Sequence, residues 1–256
     1  MRFISIHADM NSQFALNKEA RAFYKEAMEL LAESKAAFLL GGAFAMNHYT
    51  GIARDTKDLD VFCKYSEYAK ILNWFGDKGF RTELTDARWL AKVYQGEYYM
   101  DIIFNTPNNV CLIDDSWYEH AEIAVFEGME VPVLSAEEML WCKIYVQNRE
   151  RYDGADINHL ILKAGHRMDW KRVLNRLDQH WQLLLGQLLN FQFVYPADFY
   201  QVIPRWLFDE LINRAQEQFR LPMPVEKVCR GPLIDQTQYS IDIKEWGYKS
   251  STIKTT

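Results

Sequence analysis

A carboxylate in the middle of an apolar strand narrows the folds open to this chain more than any other feature. Asp101 stands in EYYMDIIF, beside Met100 and Ile102, in a run rich in aromatic and branched residues that reads as a β-strand. A charge embedded there requires a partner, because an unpaired buried carboxylate is costly. Upstream, in Asp58-Leu59-Asp60-Val61-Phe62, strand alternation puts Asp58 and Asp60 on one face and Leu59 and Val61 on the other. Neighbouring like charges on a sheet repel, and they need solvent, a raised pKa or a cation to be tolerated. If the two strands pair side by side, Asp58, Asp60 and Asp101 form a cluster able to hold two divalent ions about 4 Å apart. Mg2+ is the natural choice, being a hard ion that prefers carboxylate, water and phosphate oxygens. A solvated strand end is the bland alternative for an isolated Asp-x-Asp.

The rest of the chain organises around those strands. Residues 17–34 carry Ala20, Phe23, Ala27, Leu30 and Leu31 at helical spacing and predict an amphipathic helix. A short apolar run, AFLLGG, leads into a helix of about two turns that Gly51 closes, and then into the DLD strand. Helix YSEYAKILNWFGDKG comes next, then three strands, FRTELTD, WLAKVYQG and EYYMDIIFN, and a hairpin that turns near Glu127 and Gly128. At Ser135 strands give way to helices, with Ser135 and Glu138 at capping-box spacing. The expected helices include AEEMLWCKIYVQNRER, DWKRVLNRLDQHWQLLLGQLLNFQF and RWLFDELINRAQEQF, and a Pro-punctuated tail with a short helix near Tyr239 to Trp246 completes the chain. The tail is expected to wrap on the helices, with its last eight or so residues mobile. The expected fold class is α+β: residues 1–134 form a mixed-sheet domain and residues 135–256 a helical domain with an extended tail.

Gly41 and Gly42 form the turn between strand and helix. Glycines there let the backbone approach a bulky anion, while the helix start offers amides and a partial positive charge to phosphate oxygens. For a lone glycine pair, a tight turn is the simpler reading. The pair is not alone, however: GGAFAMNHYTGIARDTKDLDVF and the later MDIIF together resemble the signature of polymerase-beta-like nucleotidyltransferases. The resemblance is to a bacterial branch that includes antibiotic nucleotidyltransferases and abortive-infection toxins. Its pattern of a glycine pair, a histidine, Arg-x-Thr and DLD falls here on Gly41, Gly42, His48, Arg54, Thr56, Asp58 and Asp60.

That kinship implies transfer of a nucleoside monophosphate from a nucleoside triphosphate to an acceptor hydroxyl, with Asp58, Asp60 and Asp101 holding two Mg2+ ions. Asp101 is then the general base or the orienter of the attacking hydroxyl. Gly41, Gly42 and Ala43 meet the triphosphate, with Ala43 standing where many relatives carry a serine or threonine. Lys143 is a further implied triphosphate contact, although a lysine snorkelling from a packed helix explains it as well. The acceptor is open among a small molecule, a protein and an RNA end. The competing reading is a catalytically inactive nucleotidyltransferase-fold partner protein, for which Ala43 is the support.

Composition sets outer limits. A formal net charge of −6 disfavours broad nonspecific DNA binding, which rests on many cations neutralising phosphates. Cys63, Cys111, Cys142 and Cys229 are widely spaced with no zinc pattern, and reduced thiols are expected. No stretch approaches the 18 or so apolar residues of a spanning helix, and MRFISIHADMNS is too weakly apolar for a signal peptide, so no membrane partner and a cytoplasmic location are expected. His48 reads as a structural histidine, and Arg167, Lys171, Arg172 and Arg176 as a surface group.

Overall fold

The computed structural model describes residues 17–54 and 56–251, which fall into two compact units that part between Ser135 and Ala136. The first opens with α1 (Lys18–Glu33), capped by the Asn17 side chain, which accepts from the amide of Ala20. Its buried stripe is Ala20, Phe23, Tyr24, Ala27, Met28 and Leu31, so Tyr24 and Met28 join the predicted face while Leu30 is half-buried. Next in the chain are β1 (Leu39–Leu40), α2 (Gly42–Thr50), β2 (Asp58–Phe62), α3 (Tyr65–Asp77), β3 (Arg81–Asp86), β4 (Leu90–Gln95), β5 (Tyr98–Ile103), α4 (Asp115–Glu119), β6 (Glu122–Phe126) and β7 (Met129–Val133).

Among the described residues these strands form one seven-stranded mixed sheet in the order β3-β4-β5-β2-β1-β7-β6. β2 runs parallel to β5 and β1 parallel to β7; the other neighbours are antiparallel. The central register divides the sheet by chemistry. Leu59 lies opposite Met100, Val61 opposite Ile102, and Ala91 and Val93 of β4 continue the same rows. All six are fully buried, as are Ile71 and Phe75 of α3, the helix that packs on β3 and β4. Each large side chain so buried contributes about 1.5–3 kcal/mol. The alternating positions of these strands are turned to the other face, where Asp58, Asp60 and Asp101 lie.

The second unit holds α5 (Ala136–Lys143), α6 (Gly154–Ala164), α7 (Trp170–Arg176), α8 (Trp181–Val194), α9 (Pro196–Val202) and α10 (Arg205–Gln218) around a core that includes Leu140, Leu160, Leu184, Leu188 and Leu207. Two expected helices are shorter than their periodicity suggests. The helix expected over 136–151 stops at Lys143 because Asn148 offers its Oδ1 to the amides of Glu150 and Arg151, at 3.1 and 2.8 Å, and closes a loop bridged by Gln147 and Tyr152. The expected 169–193 helix is broken at Leu177 by a 3-10 turn, Asp178–His180. Contacts distant in sequence hold that break: the Tyr145 hydroxyl lies 2.7 Å from His180 Nδ1 and Arg214 pairs with Asp178 at 3.0 Å.

The tail contributes β8 (Val228–Cys229), α11 (Ser240–Lys244) and β9 (Lys249–Ser250), with β8 and β9 paired in parallel. Lys249 and Ser250, expected to be mobile, are therefore in a ladder, and residues 252–256 lie outside the described set. No helix among the described residues is long and apolar enough to cross a membrane. The four cysteines are free thiols, and burial pushes Cys63 up to about 12.

Candidate active site

The site is built by register. Parallel pairing of β2 with β5 sets Asp58 opposite Tyr99 and Asp60 opposite Asp101. Residues in register project to one face, so the strand alternation of DLD and of YYMDII delivers all three carboxylates to the same side. One carboxylate oxygen from each of Asp58, Asp60 and Asp101 lies within 4.8 Å of the others. All three residues are half-buried. Hard oxygen donors gathered this closely could hold a divalent cation.

Local contacts hold the carboxylates and the glycine turn. The Thr56 hydroxyl donates to Asp58 Oδ1 at 2.6 Å and orients that carboxylate. The amide of Gly41 donates to the Asp60 carbonyl at 2.9 Å and ties the glycine turn to β2. Gly42 has φ +54°, and a Cβ built there would fall 1.8 Å from Asp60 Oδ2. The glycine is thus required by the approach of the α2 start to Asp60. A Cβ on Gly41 would instead strike the Phe62 ring at 2.3 Å, a packing constraint. Ala43 follows in the first turn of α2, half-buried.

Lys92 on β4 stands in register with Asp101, and its Nζ lies 2.6 Å from Asp101 Oδ1. The ammonium also sits 4.0 Å from the centroid of the Tyr99 ring. Burial pushes the Asp101 carboxyl above its ordinary range and Asp58 adds to the rise, while the hydrogen bond and charge of Lys92 oppose it. Burial disfavours the Lys92 ammonium, but its bond to Asp101, helped by Tyr99 and Tyr94, outweighs that and holds it above its ordinary value. The partners shift the same way because burial, the largest influence on Asp101, outweighs Lys92 there, with Asp58 adding, whereas at Lys92 the bond to Asp101 and the nearby tyrosines together outweigh burial. Tyr24 of α1 is fully buried with its hydroxyl unpartnered, and burial, with Asp58 and other nearby groups adding, raises its pKa.

Sequence reasoning named the carboxylates and missed Lys92. A signal existed: Gly96 and Glu97 make a two-residue hairpin turn, and counting outward from Gln95 and Tyr98 pairs Lys92 with Asp101. Lys143, on α5 of the second unit, donates to Asp153 at 2.6 Å and to Asp156 at 2.8 Å. His48 Nε2 lies 3.0 Å from Glu122 Oε2 and is nearly buried, in keeping with a structural histidine. Arg172 and Arg176, expected as surface groups, both pair with Glu138, a fully buried carboxylate. In the tail, Arg230 donates to the Gln179 carbonyl at 3.1 Å and Gly231 packs against the Tyr239 ring, so both serve internal packing of the second unit.

A mixed sheet with carboxylates paired across its central parallel strands, and a glycine turn opening a helix beside them, defines a nucleotidyltransferase of the polymerase-beta type. The sequence pattern of the aminoglycoside-2''-adenylyltransferase family matches residues 24–163, more than half of the chain, and the chain belongs to that family. Among solved structures it is similar to a lincosamide antibiotic adenylyltransferase with lincomycin bound, at 19% identity and a TM-score of 0.41, over 57% of this chain and 96% of that one. It is also similar to ANT(2'')-Ia in complex with adenylyl-2''-tobramycin, at 16% identity and a TM-score of 0.45, over 63% and 97% of the two chains. The Megavirus polyadenylate synthase aligns at 10% identity and a TM-score of 0.41, over 82% of this chain and 52% of that one. No curated protein matches the chain.

Proposed function

We propose that this nucleotidyltransferase moves the adenylyl group of ATP to a hydroxyl of a small polyhydroxylated acceptor, an aminoglycoside in the first instance, and releases pyrophosphate. The family assignment supports adenylyl transfer, and the observation that carries the site is the gathering of Asp58, Asp60 and Asp101 within 4.8 Å. A formal charge of −6 suits a cationic acceptor better than a polyanionic one.

Asp58, Asp60 and Asp101 would hold the Mg2+ ions. Such ions neutralise charge on the triphosphate and the departing pyrophosphate. Asp101, raised above its ordinary range by burial, is suited to take or orient the proton of the attacking hydroxyl. Gly41, Gly42 and Ala43 would place the α2 start against the triphosphate, where helix amides favour anions. The test is incubation with Mg2+ and ATP labelled at its α-phosphate against a panel of aminoglycosides, with Asp60→Asn as control. Label should move to an acceptor with one pyrophosphate released per transfer. Failure of every acceptor to take label while pyrophosphate still appears would redirect the search to protein or RNA ends; no pyrophosphate with any of them would refute the reading.

A further inference from the structure

We propose that Lys92 is a resident cation that competes with a metal ion for Asp101, holding the third carboxylate until a stronger positive charge arrives. The inference rests on the reading of Asp58, Asp60 and Asp101 as metal ligands. Its own support is geometric. Lys92 faces Asp101 across the β4 and β5 ladder, its Nζ is 2.6 Å from Asp101 Oδ1, and both side chains are largely shielded, at 17% and 14% exposure. A metal ion on that oxygen and an ammonium bonded to it are like charges with little water between them, so one must yield. Lys92 has somewhere to go: the Tyr99 ring, 4.0 Å from Nζ, offers a cation–π contact that does not depend on Asp101. Tyr99 stands in register with Asp58, so the ammonium can withdraw along the same face without leaving the sheet.

Asp58 and Asp60 sit on the neighbouring strand, where Thr56, a neutral donor, orients Asp58. An ion that takes up Asp101 must displace Lys92 from it. Lys92 is by this account a positioning residue that links full loading of the site to the arrival of added positive charge.

Metal binding, read without turnover, tests it. The intact protein is titrated with Mn2+ alone and free Mn2+ is followed by its paramagnetic resonance signal, in the parent, Lys92→Met, Lys92→Gln, Lys92→Arg and Asp60→Asn, each first shown folded by its thermal transition. Removing the charge in Lys92→Met and Lys92→Gln should tighten Mn2+ binding about tenfold or more. Lys92→Arg should resemble the parent. Equal affinities in the parent and both neutral variants, or weaker binding in them, would overturn the role given to Lys92 while leaving the metal reading intact. If instead the parent binds no Mn2+ and Asp60→Asn changes nothing, the metal reading itself is wrong and the inference falls with it.

Discussion

Gly42 offers the sharpest test of how the turn serves the site, because the fold supplies its own control. At Gly42, φ is +54° and a Cβ would sit 1.8 Å from Asp60 Oδ2 and 2.6 Å from Asp60 Cγ. At Gly51, which closes the same helix, φ is +72° and a Cβ would meet nothing within 4 Å. Gly51→Ala thus introduces backbone strain alone, expected to cost about 1 kcal/mol. Gly42→Ala adds the clash, which is relieved by turning Asp60 off its rotamer or by shifting α2, and should cost about 2–3 kcal/mol in all. The extra loss should fall on the site. Urea denaturation and Mn2+ titration of both variants read the two effects separately: Gly51→Ala should keep the parent's metal affinity, and Gly42→Ala should lose about tenfold through displacement of Asp60. If Gly42→Ala proves no less stable than Gly51→Ala and binds Mn2+ like the parent, the glycine does not protect Asp60 and serves the turn alone.

Three further outcomes are expected. Asp60→Asn should cut adenylyl transfer by about a hundredfold or more, with the thermal transition little changed, since on the proposed reading it removes a metal ligand and not a core contact; parent-like turnover in labelled-ATP assays would contradict it. Lys143→Met deprives Asp153 and Asp156 of an ammonium held at 2.6 and 2.8 Å and should lower stability by about 1–3 kcal/mol in urea melts, so an unchanged midpoint would deny Lys143 its structural role. Burial, with the charge of Arg230, holds His180 below its ordinary value of 6.5, so the unfolded chain takes a proton there more readily than the folded one. The stability tied to neutral His180 is present above about pH 6.5 and is lost as pH falls toward the lower folded value; urea midpoints at about pH 7.5 and 5.5 should fall less in His180→Gln than in the parent.

The reach of each physical signal decides how much of the molecule was legible in its sequence. Strand alternation acts over neighbouring residues, so the shared face of Asp58 and Asp60 was readable in DLDVF, and the hairpins at Gly96 and Glu127 likewise. Adjacency of β2 and β5 was conditional, because α3, β3 and β4 intervene between them and nothing local states which strand returns beside β2. The interrupted helices were not readable: no proline or glycine marks Lys143 or Leu177, and the contacts that stop each helix come through Asn148, Tyr145 and Arg214. Arg172 and Arg176 misled for the same reason, since basic residues four apart read as a solvated face while their partner Glu138 lies 34 residues from Arg172.

Glu138 and Asp101 together show why burial alone is a poor guide to function. Glu138 is the more buried of the two, with no exposed side-chain surface, yet two arginines meet it and its charge has a structural answer. Asp101 keeps 14% exposure and meets Lys92, but it is also gathered with Asp58 and Asp60. Repulsion among carboxylates brought together by β-sheet register is relieved most directly by a cation from outside the chain, and a site that recruits one for its own stability is already arranged to use it on a phosphate. The company a buried charge keeps, more than its depth, is what makes Asp101 and not Glu138 the candidate for chemistry.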